Sequence, residues 1–132
     1  NEAITMHRAA LELRPVENDE WDRSWSLNEL AVRLSHRYDQ EWSVNDLEEA
    51  VTLGREALEL RPPGHPDRAL SLQNLACDLK KRFALKAVMR DLEESIELLR
   101  QVLELCPTGY SDQPSTFHRL ALCLSERHDQ LG

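Results

Sequence analysis

The residues able to do chemistry are few, and their spacing does not suit it. Cys77, Cys106 and Cys123 are the three cysteines, and no two form the Cys-x-x-Cys pair that a zinc or redox site uses. Cys77 and Cys123 fall inside apolar helical patterns, where a free thiol behaves as a small hydrophobe. Reduced thiols in a reducing, cytoplasmic compartment are therefore expected. His7, His36, His65, His118 and His128 show no His-Glu-x-x-His spacing, and His65 sits among turn residues. There is no Gly-x-Ser-x-Gly elbow and no phosphate loop. The expectation is a non-catalytic chain with no metal and no cofactor.

Composition narrows the partners. The chain has 132 residues, 41% hydrophobic and 30% charged, which suits a soluble globular domain. Its net charge of −8 argues against nucleic acid, since phosphate binding needs clustered Lys and Arg. No apolar run approaches the roughly 18 to 20 residues of a membrane span, so no membrane partner is expected. A signal peptide is not visible, because Asn1 to Ile4 already belong to a repeat.

The elements that would position any site are repeated. EAITMHRAALELRP from Glu2 returns as EAVTLGREALELRP from Glu49 and as ESIELLRQVLELCP from Glu94. Between these lies a second unit, anchored by Asp22, Asp67 and Asp112, which are spaced 45 residues apart. Such a period marks a stacked array in which each unit buries its apolar face against its neighbours.

Each repeat reads as two helices. In the first class, Leu27, Leu30, Ala31, Leu34 and Tyr38 make one apolar stripe, repeated by Leu72, Leu75, Ala76, Leu79 and Phe83. Phe117, Leu120, Ala121 and Leu124 continue it. In the second class the stripe is Leu47, Ala50, Val51, Ala57 and Leu58, and Asp46 with Glu49 and Asp91 with Glu94 suggest capping boxes. Pro15, Pro62 and Pro107 stop the second helices, and Arg61 to Arg68 make a stiff corner. The spacing predicts six helices at about 2–14, 22–38, 45–60, 67–83, 90–105 and 113–128. The whole chain, 1–132, reads as one repeat domain. Within it, 2–15 is the second helix of a partial repeat, 22–62 and 67–107 are full repeats, and 112–130 is the first helix of another partial repeat. It reads as a piece of a longer array, and its uncapped terminal helices are expected to favour self-association.

The Leu-x-x-Leu-Ala of the first helix, the Gly64–Asp67 corner and the Ala-x6-Ala followed by proline on the second helix resemble a tetratricopeptide array. The resemblance covers nearly the whole chain and is closer to the long, kinesin-light-chain type. The DLEEA phrase with RPPGHPDR also resembles arrays of fungal CHAT-domain proteins. This resemblance implies an all-α superhelical solenoid of antiparallel helix pairs, with a concave groove lined by the first helices. The implied groove residues are Asn28, Val32 and Ser35; Gln73, Cys77 and Lys80; and His118, Leu122 and Ser125. The chain departs from the family's carboxylate clamp, because Val32, Cys77 and Leu122 stand where polar residues are needed.

On this reading Asn28, Gln73 and His118 hydrogen-bond a ligand backbone over an apolar floor; alternatively, the apolar residues only pack between helices. Trp21, Trp25 and Trp42 form an aromatic patch, or fill the longer first corner. Asp46, Glu48, Glu49, Glu56 and Glu59, faced by Arg55 and Arg61, read as an acidic solvated outer wall. Arg37, Arg82 and Arg127 recur in step, which points to a structural role, with Asp46 and Asp91 as partners. The function implied is a protein-binding scaffold holding a partner peptide or helix. The alternatives are a regulatory or sensor segment of a larger CHAT-protease-like or immune-receptor-like protein, and a structural spacer.

Overall fold

The computed structural model describes residues 2–13, 20–105 and 113–131. Six helices run in order: α1 Glu2–Leu13, α2 Glu20–Glu41, α3 Val44–Glu59, α4 Arg68–Lys86, α5 Met89–Leu105 and α6 Gln113–Leu131. All of them match predicted helices within a few residues at each end. The chain is an all-α array of packed helix pairs, with no strand among the described residues. It divides into two compact units, Asn1–Ser71 and Leu72–Gly132.

In the first unit, α2 lies between α1 and α3. Leu30, Ala31 and Leu34 form one cluster with Ile4 of α1 and Ala50 of α3, and Leu53 packs against it. The small residues Ala31 and Ala50 let the helix axes approach closely. In the second unit, Ser95 of α5 is fully buried and donates to the Ala76 carbonyl of α4 at 2.8 Å.

The links between paired helices are two residues long, which forces the helices to run antiparallel. Both links close the same way. Trp42 and Ala87 adopt left-handed backbone (φ 58° and 57°), and their N–H groups donate to the carbonyls of Tyr38 and Phe83. This is the left-handed helix stop usually made by glycine. The corner after α3 uses glycine as chemistry demands: Gly64 at φ 94° lets the His65 N–H reach the Pro62 carbonyl at 2.9 Å. His65 is a turn residue, its Nδ1 accepting from the Asp67 N–H at 3.0 Å.

Arginine locks each link. Arg37 holds Asp46 through two bonds of 2.6 and 2.8 Å, and Arg82 holds Asp91 through two of 2.9 and 2.8 Å. The repeated arginines therefore pair as their spacing implied. Arg127 instead reaches Glu93 at 3.4 Å on the surface. The capping boxes need correction. Helix α3 starts at Val44 with Ser43 at its cap, so Asp46 lies within the first turn and its carboxylate serves Arg37. Asp91 is likewise in the first turn of α5. Asp22 lies in the first turn of α2, Asp67 just precedes α4, and Asp112 is outside the described residues.

The bond from Arg37 holds the Asp46 carboxyl below its ordinary pKa, against the opposing effect of burial. A depressed folded-state pKa stabilises the fold above the carboxyl's unfolded value, and that gain disappears as pH falls through the folded value. Asp46→Asn is therefore expected to cost about 1–2 kcal/mol at neutral pH, between the range for exposed pairs and that for buried ones. Urea titrations of both proteins should converge as the solution is acidified below the carboxylate range. A gap that stays constant with pH would show that the ion pair is not its source.

Candidate functional site

Two sequence expectations for the outer surface change in the structure. Arg61, assigned to the acidic wall, is 1% exposed. Its guanidinium donates to Ser71 Oγ at 2.7 Å, to Ser24 Oγ at 3.3 Å and to the Asp67 carbonyl at 3.4 Å. Asp46, from the same wall, is also buried, as is Asp91 at the equivalent position of α5. The remaining carboxylates of α3 include Glu56 and Glu59, which are exposed.

Trp25 and Trp42 do not form one patch. Trp25 is 46% and Trp42 71% exposed, so neither fills a buried corner. Trp25 is near the start of α2 and Trp42 just past its end, roughly 25 Å apart at the helical rise. Trp25 stands beside the Arg61 guanidinium, 6.0 Å from its carbon, and Trp42 meets Tyr38 edge-on at 5.7 Å. The Trp21 side chain lies outside the described residues.

The groove candidates fall into two groups. In the first unit Asn28 and Ser35 are buried, and Val32 is half-buried. Asn28 and Ser35 thus present no open polar wall, contrary to the groove expectation. In the second unit Gln73, Cys77 and Lys80 of α4 are half-buried, whereas His118, Leu122 and Ser125 of α6 are exposed. Gln73 Oε1 accepts from Thr116 Oγ1 at 3.4 Å.

Cys77, Lys80 and Leu122 line a cavity of about 360 Å³ bounded by α4, α5 and α6. Ala76, Leu99 and Cys123 extend its apolar wall, Ser95 lies at the base, and Lys81, Arg119 and Glu126 complete it. Helical spacing explains the α6 contribution: Arg119, Leu122, Cys123 and Glu126 share one face. The sequence reading found Cys77, Lys80 and Leu122. It missed Arg119 and Glu126, which lie one turn either side of Leu122 and carry no signature of their own. Ser95, at the repeat position of Ala50, brings a hydroxyl to the lining, 3.8 Å from Cys123 Sγ.

The cavity is suited to binding. Burial pushes the Cys77 thiol pKa up, and Asp78 adds to this against the opposing pull of Arg119 and Lys81. A thiol held protonated is a poor nucleophile and a poor metal ligand. No cluster of metal-ligating side chains occurs among the described residues. Nor is any described helix long and apolar enough to cross a membrane. Cys106 is outside the described residues, as is the side chain of His7.

Neither a curated protein nor a solved structure gives a significant match to the chain. A family model for the tetratricopeptide repeat matches residues 23–67, which hold most of α2, all of α3 and the corner that follows. That match, on the α2–α3 pair, supports reading the chain as a tetratricopeptide-repeat array.

Proposed function

We propose that the chain is a non-catalytic protein-interaction module that takes an apolar side chain of a partner peptide into the cavity bounded by α4, α5 and α6. The observation carrying this reading is the open apolar cavity itself, lined by Leu99 and Leu122. Concave sites of this sort, apolar with a few charged groups, are the usual form of a recognition pocket. Lys80, Lys81 and Arg119 outnumber Glu126 around it, in a protein whose net charge is −8. A neutral or acidic peptide flank is therefore favoured over a basic one. The free thiols of Cys77 and Cys123 fit work in a reducing, cytoplasmic setting. If the array is a sensing segment of a larger protein, the same cavity receives the ligand.

The test uses a displayed library of random short peptides, selected on the 132-residue chain. Selected peptides should carry an apolar anchor, and Leu122→Asp should weaken their binding at least about tenfold, or 1.4 kcal/mol. Leu122 is 54% exposed, so this change leaves the fold intact. Trp42→Ala should leave affinity unchanged. Failure to select any binder, or equal affinity for the Leu122→Asp protein, would overturn the reading.

A further inference from the structure

Helix α6 carries two faces. One lines the cavity; the other bears Phe117, Leu120, Ala121 and Leu124, the register positions of Leu72, Leu75, Ala76 and Leu79 in α4 and of Leu27, Leu30, Ala31 and Leu34 in α2. Those eight counterparts are all at most 2% exposed. In α6, by contrast, Phe117 is 54% exposed and Ala121 is exposed. In α2 this face is buried by Ala50 and Leu53 of α3, a second-class helix, together with Ile4 of α1.

Helix α1 is a second-class helix with one large apolar side chain exposed. It buries Ile4 against α2, but Met6 is 71% exposed. Met6 holds the register position of Leu53, which packs onto the Leu30, Ala31 and Leu34 cluster. Charge sets the same register. Arg8 of α1 binds Glu49 of α3 at 2.7 Å. Aligning the repeats places Arg8, Arg55 and Arg100 at one position and Glu2, Glu49 and Glu94 at another. Arg100 and Glu2 are both exposed.

We propose that the outer face of α6 binds α1 of a second copy of this chain, with Met6 of that copy seated on Leu120, Ala121 and Leu124 and its Glu2 paired with Arg100. The contact joins two different surfaces, so it is heterologous, and each copy offers both halves of it. It uses neither Leu122 nor the cavity, and stands apart from the peptide-binding reading.

Sedimentation of the 132-residue chain across a concentration series tests it. The average mass should rise with concentration. Met6→Glu and Ala121→Glu should each abolish the rise, since either places a charge in the apolar contact. Both changes are at exposed positions, and unaltered melting would confirm folded protein. Mixing the two variants should then give a one-to-one complex, because one supplies a sound α6 and the other a sound α1. Arg100→Glu should weaken association by about fivefold, and adding Glu2→Arg should restore it. The proposal is overturned by a monomer at every concentration, by association that survives Met6→Glu, or by no complex in the mixture.

Discussion

Arg61→Ala should lower the unfolding free energy by about 3 kcal/mol, measured by urea titration at neutral pH. The guanidinium is 1% exposed and fills the space where the end of α3 meets the starts of α2 and α4. Removing it leaves the Ser24 and Ser71 hydroxyls without the donor that now joins them. It also empties the volume its three methylenes occupied. The C-terminal end of α3 carries the negative pole of the helix, which favours a cation there. Burial pulls the guanidinium pKa down and Asp67 partly offsets this, yet an arginine remains charged at any ordinary pH. Arg61→Lys should recover little, because a compact ammonium cannot span both serines in the way a planar fork does. A loss under roughly 0.5 kcal/mol for Arg61→Ala, the scatter of ordinary surface changes, would remove Arg61 from its assigned place in the core.

Leu34→Ala should cost about 3–4 kcal/mol, whereas Leu124→Ala, at the same register position, should cost under about 1 kcal/mol in dilute solution. Leu34 is fully buried between α1 and α3. Its truncation leaves a cavity walled by Leu30, Ala31 and Ala50, which rigid helix contacts can collapse only in part. Leu124 is half-buried on the outer stripe of α6, so truncation there mostly exchanges one wet surface for another. Thermal unfolding of both variants at low concentration reads the contrast. Equal losses would mean that position in the repeat, and not coverage, sets the energy of the stripe.

Much of the fold was legible because the repeats state it three times. Leu30, Leu75 and Leu120 share one phase, and that phase fixes a helix whatever its neighbours do. The pairing of Arg37 with Asp46 was legible too, since only a short link between antiparallel helices brings positions nine apart together on both copies. Coverage was not legible. Nothing in the letters distinguishes Arg55, half-buried on α3, from Arg61, which is buried, because burial depends on what the following corner folds over. The same limit applied to Trp25 and Trp42: their size suggested an interior, but Trp25 stands on an outward face of α2 and Trp42 in the exposed stop after it. For the cavity, Cys77, Lys80 and Leu122 were found through the repeat register, while Arg119 and Glu126 belong to it through the helix period alone.

The stops at Trp42 and Ala87 carry a consequence for how the molecule forms. Each turns the chain back within two residues and is clasped by an arginine and an aspartate nine positions apart. Most early contacts are therefore between near neighbours in sequence, and closing such short loops is fast and entropically mild. In a repeat array, assembly can begin at either hairpin and spread to the neighbours that complete its core.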